Sequence, residues 1–185
     1  MEGSCTSLKK EIEMDYIFTL KYQLAQCDCD PDELVERLYA AGCDDALIGV
    51  GLPGRLALEF TREAATAETA LRSALMDVKR IVPDARLVEV APDFVGLTDI
   101  AEIIGVSRQN MRKLMLTHCT SFPLAVHEGK TSVWHLAEVL SWLDAKGGYR
   151  LEQPVIDVAR IAQSVNLVKE SRRGVALGAE WRALV

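Results

Sequence analysis

The sequence predicts an α+β chain: a βαββαβ module, then a helix-turn-helix with a wing, then a closing helix. Three observations carry this. Residues 15–91 read strand, helix, strand, strand, helix, strand; residues 97–115 carry two short helical stripes about a Gly-Val-Ser turn; and residues 154–171 place apolar side chains at spacings of three and four. The bulk composition agrees, since 185 residues with 49% hydrophobic and 26% charged side chains resemble an ordinary globular protein. The apolar runs fall short of the roughly 20 residues that a bilayer-spanning helix needs, and the opening residues lack the basic-then-apolar order of a secretory signal. A cytoplasmic protein without membrane attachment is therefore expected.

Residues 1–14 are polar without a period and predict a disordered start. From Tyr16 to Leu24 apolar and polar side chains alternate, placing Tyr16, Phe18, Leu20, Tyr22 and Leu24 on one face of a strand. Those aromatics are read as core rather than as a base-stacking platform, because the same face must cover the helices. Asp30-Pro31 then sets a capping acid before a proline at the first helical position; Leu34, Val35, Leu38 and Ala41 follow at helical spacing, and Gly42 closes the helix. Ala46–Val50 and Arg55–Phe60 are short strands about Gly51-Leu52-Pro53-Gly54, which has hairpin-turn chemistry. A second helix runs from Thr66 to about Val82 and a last strand from Arg86 to Val90. This order, over a domain of residues 15–92, is that of the ferredoxin-like split β-α-β unit, a fold that hosts ligand and protein binding alike.

The segment 93–150 changes to helices with short turns. Thr98 or Asp99 is placed to cap a first helix with apolar Ile100, Ile103 and Ile104; Ala101 is small where a second helix must cross. Gly105 supplies a left-handed turn residue, Val106 fills the angle, Ser107 caps the second helix, and Met111 and Leu114 turn it back onto the first. Arg108, Gln109, Arg112 and Lys113 are left facing outward. A DNA major groove admits one α-helix, and Arg, Gln and Asn match the edges of guanine and adenine. Thr98 joins the expected DNA-facing set. Residues 124–126 and 131–134 predict a two-stranded hairpin with Gly129 in its turn, a wing whose tip residues His127, Lys130 and Thr131 can reach phosphate or a minor groove. Helix follows from His135 to Ala145.

The run "LTDIAEIIGVSRQNMRKLM" followed by "FPLAVHEGKTSVWHLAEVLSWLD" resembles the winged helix-turn-helix of the AlpA and excisionase group, related to the MerR-type DNA-binding domain. The resemblance covers about residues 95–145. It implies sequence-specific binding of double-stranded DNA in bacterial or mobile-element regulation, with Ser107, Arg108, Gln109, Asn110, Arg112 and Lys113 on the DNA-facing helix and Lys130 on the wing.

Beyond Gly147-Gly148, the helix of residues 151–171 carries a stripe of Val155, Val158, Ala162 and Val165 that either packs on the winged module or pairs with a second copy as a homodimer seam. Residues 172–185 read as a tail. The five cysteines, Cys5, Cys27, Cys29, Cys43 and Cys119, make no disulfide framework, and Cys27, Cys29 and Cys43 lack the second close pair that structural zinc needs. No cofactor and no metal is expected. Gly49-Val-Gly51-Leu-Pro-Gly54 lacks the helix that a phosphate loop precedes, and no nucleophile or paired-carboxylate arrangement stands out, so an enzyme is not expected.

The leading expectation is a sequence-specific DNA-binding transcriptional regulator, a repressor from a bacterial or mobile-element operon, with a toxin-neutralising antitoxin as its sharpest form. A protein-interaction adaptor with a non-binding helix-turn-helix, or an excisionase-like recombination factor, is the alternative. Net charge is −6, with 18 acids against 10 bases in residues 1–95 and 6 bases against 5 acids in residues 96–150. The acidity thus belongs to the front domain, which is expected to hold a small ligand or a protein partner, and it does not exclude DNA from the second.

Overall fold

The computed structural model describes residues 13–25 and 30–174. The start expected over residues 1–12, Cys5, Cys27 and Cys29, and the tail beyond Gly174 lie outside them. The chain is mixed α and β, with a four-stranded antiparallel sheet, a two-stranded ribbon and six helices among the described residues. No helix among those residues is long and apolar enough to cross a membrane.

Strand β1 (Met14–Gln23) begins two residues before the alternation does. It pairs along its whole length with β3 (Arg55–Ala64), from Met14 opposite Ala64 to Gln23 opposite Arg55. β2 (Ala46–Gly49) lies on the far side of β3 and β4 (Arg86–Ala91) on the far side of β1, giving the order β2-β3-β1-β4. Because side chains alternate across a strand, Tyr16, Phe18, Leu20 and Tyr22 share one face with Leu56, Leu58 and Phe60, all buried. Phe18 stacks on Phe60 with centroids 5.3 Å apart. The opposite face presents Ile17, Thr19, Lys21, Glu59 and Thr61 and carries none of these aromatics, so they are core, as the alternation predicts.

Helices α1 (Pro31–Ala40) and α2 (Ala67–Ile81) cover the buried face. Their starts follow local chemistry: the Asp30 carboxylate accepts the Asp32 N–H at 3.0 Å, and Thr66 Oγ1 accepts the Thr69 N–H at 3.1 Å. Gly42 takes φ +100° just beyond α1, and Gly54 takes φ +73° in the β2–β3 turn.

At one end of this layer Arg62 is 8% exposed. Its guanidinium donates to both Asp45 oxygens at 2.7 and 2.9 Å, to Asp77 Oδ2 at 2.8 Å, to Ser73 Oγ at 3.0 Å and to the Gly42 carbonyl at 2.8 Å. Those carboxylates hold its pKa above the usual arginine value in spite of burial. Cys43 lies buried beside this cluster, and desolvation, reinforced by the charge of Asp77, pushes its thiol from 9.0 up to about 11. Burial likewise raises the Tyr22 hydroxyl. Both groups prefer the neutral form in the folded chain. The Cys43 contribution is therefore whole below pH 9 and is lost as the pH rises from 9 towards 11, and that of Tyr22 is whole below pH 10 and is lost only above it. The urea midpoint is expected to hold steady from pH 7 to 8.5 and then fall, the fall being smaller in Cys43→Ala; at pH 8 iodoacetamide labels the exposed Cys119 and spares Cys43. A midpoint that is flat to pH 11 contradicts this.

Past β4, the two-residue strand β5 (Phe94–Val95) leads into α3 (Leu97–Ile103) and α4 (Arg108–Thr117). The chain returns through β6 (Trp134–His135) to α5 (Leu136–Lys146) and α6 (Gln153–Ser171). A second cluster of buried side chains, including Val95, Ile100, Met111, Trp134, Leu140 and Leu143, sits among these elements.

Helix α6 belongs to both clusters. Val158 and Ala162 are buried in the first, with Ile161 and Val165 packed against it; Ile156 and Ala159 are buried in the second, with Val155 against it. This corrects the dimer-seam expectation for Val155, Val158, Ala162 and Val165. The stripe is consumed inside the chain, because β4 and α2 expose an apolar flank that α6 covers.

The flank is also a sheet edge, and α6 closes it with polar side chains. Asn166 accepts the Val90 N–H at 2.9 Å and donates to the Val90 carbonyl at 2.8 Å, the two bonds that a neighbouring strand would make. Lys169 donates to the Val88 carbonyl two residues along. The Asn166 amide also donates to Asp93 Oδ2 at 2.7 Å, while His135 Nδ1 lies 2.7 Å from Asp93 Oδ1. Asp93 and Asn166 are both 0% exposed.

Candidate nucleic-acid interface

The joint between α3 and α4 follows from its residues. The Gly105 N–H donates to the Glu102 carbonyl at 3.2 Å and the Val106 N–H to the Ala101 carbonyl at 2.9 Å, the paired bonds of a Schellman ending. Gly105 sits at φ +70°, and a Cβ added there would meet nothing within 4 Å. The left-handed backbone, not lack of space, is what calls for glycine. Ser107 Oγ then accepts the Asn110 N–H at 3.1 Å and starts α4. The first helix is capped differently from either expectation: Gly96 is the N-cap residue, and Asp99 reaches back from the third helical position to accept the Gly96 N–H at 2.7 Å. Thr98 is exposed within the first turn and caps nothing.

Met111 is fully buried, together with Ile100 and Ala101 of α3. At 3.6 residues per turn, the direction opposite Met111 is held by Gln109, Lys113 and Leu116, with Arg112 on one shoulder and Asn110 on the other. Arg108, Gln109, Asn110, Arg112 and Lys113 are all exposed. Arg108, Arg112, Lys113 and Lys130 form no ion pair with any carboxylate of the described residues. The ten residues of α4 include no acid.

The hairpin expected as a wing is reduced to a single bridge. Two strands over 124–126 and 131–134 are replaced by one bridge between His127 and Val133, with the Val126 N–H donating to the Val133 carbonyl at 2.7 Å and the Val133 N–H to the His127 carbonyl at 2.9 Å. Trp134 and His135 pair instead with Val95 and Phe94. The physical reason is burial: Trp134 packs into the second cluster against Phe122, its indole N–H donates to the Pro123 carbonyl at 3.2 Å, and this pulls the return strand away from the turn. His127, Lys130 and Thr131 remain exposed at the tip. A Cβ on Gly129 would come within 2.7 Å of His127 Nε2, so the turn glycine leaves room for that ring.

Sequence reasoning missed two features. Leu116 shares the outward face of α4 with Gln109 and Lys113, and the spacing 109, 113, 116 was available to find it. The Asp93–His135–Asn166 cluster joins residues up to 73 positions apart, and no local pattern marks it. Comparison of the chain with protein-family models, curated proteins and solved structures gives no match.

Proposed function

We propose that this chain is a sequence-specific DNA-binding transcriptional regulator, with α4 lying in the major groove of double-stranded DNA and the His127–Thr131 turn reaching the adjacent backbone. The observation that carries the reading is a helix free of acids that presents Arg108, Gln109, Arg112 and Lys113 to solvent, its cations paired with no carboxylate of the described residues, on a turn held by Gly105 and Ser107. Such cations on one rigid face suit a polyanion, and Arg and Gln suit base edges. The resemblance to the AlpA and excisionase group supports the winged helix-turn-helix reading of this region.

In this reading residues 15–92 form a ferredoxin-like domain, supported by the strand order β2-β3-β1-β4 with antiparallel neighbours and both α1 and α2 on one face. Its acidic surface is the place for a small ligand or a basic protein partner, as a repressor or an antitoxin requires. Any homodimer on paired half-sites forms through surfaces other than the α6 stripe.

The full-length chain should enrich a defined duplex from a random pool. Replacing both Arg108 and Arg112 by Ala should remove sequence preference, since each bidentate base contact discriminates by about 1–3 kcal/mol. Lys113→Ala should instead weaken binding evenly and reduce the slope of log affinity against log salt by about 1. An adaptor with no DNA role predicts no enriched sequence and no salt slope, and that result would sink the proposal.

A further inference from the structure

Leu116 is 57% exposed, and it faces outward with the polar residues of α4 rather than inward with Met111. It lines a shallow surface concavity with Gln109, Arg112, Lys113 and Thr117. A leucine there has no donor or acceptor, so it recognises only an apolar group. The surrounding charge, Arg112 and Lys113 without an acid on the helix, commits the occupant to a polyanion. The seven residue steps from Gln109 to Leu116 span about 10 Å at 1.5 Å per residue, the length of roughly three base-pair steps. The apolar group that a base pair presents in the major groove is the C5-methyl of thymine, which 5-methylcytosine carries at the same place.

We propose that Leu116 is a specificity-determining residue that reads a C5-methyl group about two to three base pairs from the bases read by Gln109. This rests on the reading of α4 as a groove-binding helix and adds to it one pyrimidine whose methyl group is bound. Arg108, Gln109 and Arg112 discriminate by hydrogen bonding; Leu116 discriminates by burying a methyl.

The test uses the full-length chain and the duplex that it selects from an unmethylated random pool. Each thymine is replaced singly by deoxyuridine, which removes the methyl and leaves the hydrogen-bonding edge. One position is expected to cost wild-type protein about fourfold in affinity, the worth of one buried methyl, and to cost Leu116→Ala nothing. A parallel series with 5-methylcytosine at each cytosine shows whether a methylated cytosine is the source, by a gain that Leu116→Ala loses. The variant should melt with wild type, because Leu116 is exposed. Equal uracil penalties in both proteins, or no methyl effect in either series, would overturn the inference while leaving DNA binding intact. Failure of wild type to select any duplex would overturn the DNA reading and this one together.

Discussion

Arg62→Met should lower the stability of the chain by about 3 kcal/mol, the lower end of the cost of removing one partner from a buried ion pair. The low end applies because the side chains of Asp45 and Asp77 keep 28% and 22% of their exposure, so water partly solvates the carboxylates left behind. Three segments lose their tie at once: the Gly42 carbonyl after α1, Asp45 before β2, and Ser73 with Asp77 on α2. Arg62→Lys should recover less than half of the loss. A lysine retains the charge but not the planar fork that serves Asp45 with two bonds while reaching Asp77 and the carbonyl. With a urea slope of about 2 kcal/mol/M, the methionine variant's midpoint moves down by about 1.5 M. A shift under 0.4 M would show that the cluster is decoration on a layer held by apolar packing alone.

Asn166→Ala should cost a similar amount, about 3 kcal/mol, read as a fall in melting temperature of about 6–12 °C for a chain of this size. The substitution leaves the Val90 N–H and carbonyl and one oxygen of the buried Asp93 carboxylate without their partner, and it opens a small cavity under α6. Asn166→Asp should be worse near neutral pH, because it places a second carboxylate beside Asp93, where the amide nitrogen now sits 2.7 Å away. Hydrogen exchange locates the effect: the Val90 amide, protected by Asn166 at the outer edge of β4, should exchange faster in the alanine variant, while amides in the β1–β3 ladder slow or speed only with global stability. Unchanged Val90 exchange would refute the role of Asn166 as a substitute for a neighbouring strand.

The two clusters were unequally legible, and so was the candidate interface. The α3–α4 turn could be read from Gly105, Val106 and Ser107 because each of its bonds closes within a few residues. The alternation of Tyr16, Phe18, Leu20 and Tyr22 told which strand face is buried, because a period of two depends on the backbone alone. The wing was misread because its return strand has two possible partners, and local spacing says nothing of Phe94 and Val95, some 40 residues earlier. Thr98 was overvalued as a cap because Gly96, which offers no side-chain oxygen, is an acceptable cap residue once Asp99 reaches back to it.

By itself the sequence determined much of the local grammar of this protein: the caps at Asp30, Thr66 and Ser107, the turn at Gly105, and which face of β1 is apolar. Those properties depend on neighbours within one turn or one hairpin. Only the tertiary structure decided where the α6 stripe goes, that Arg62 binds two carboxylates 15 and 17 residues away, and that Asp93, His135 and Asn166 meet out of water. An amphipathic stripe is equally satisfied by any apolar flank of matching shape, and a buried polar side chain by any correctly placed partner; the choice among them is made when the sheet edge and the second cluster come together.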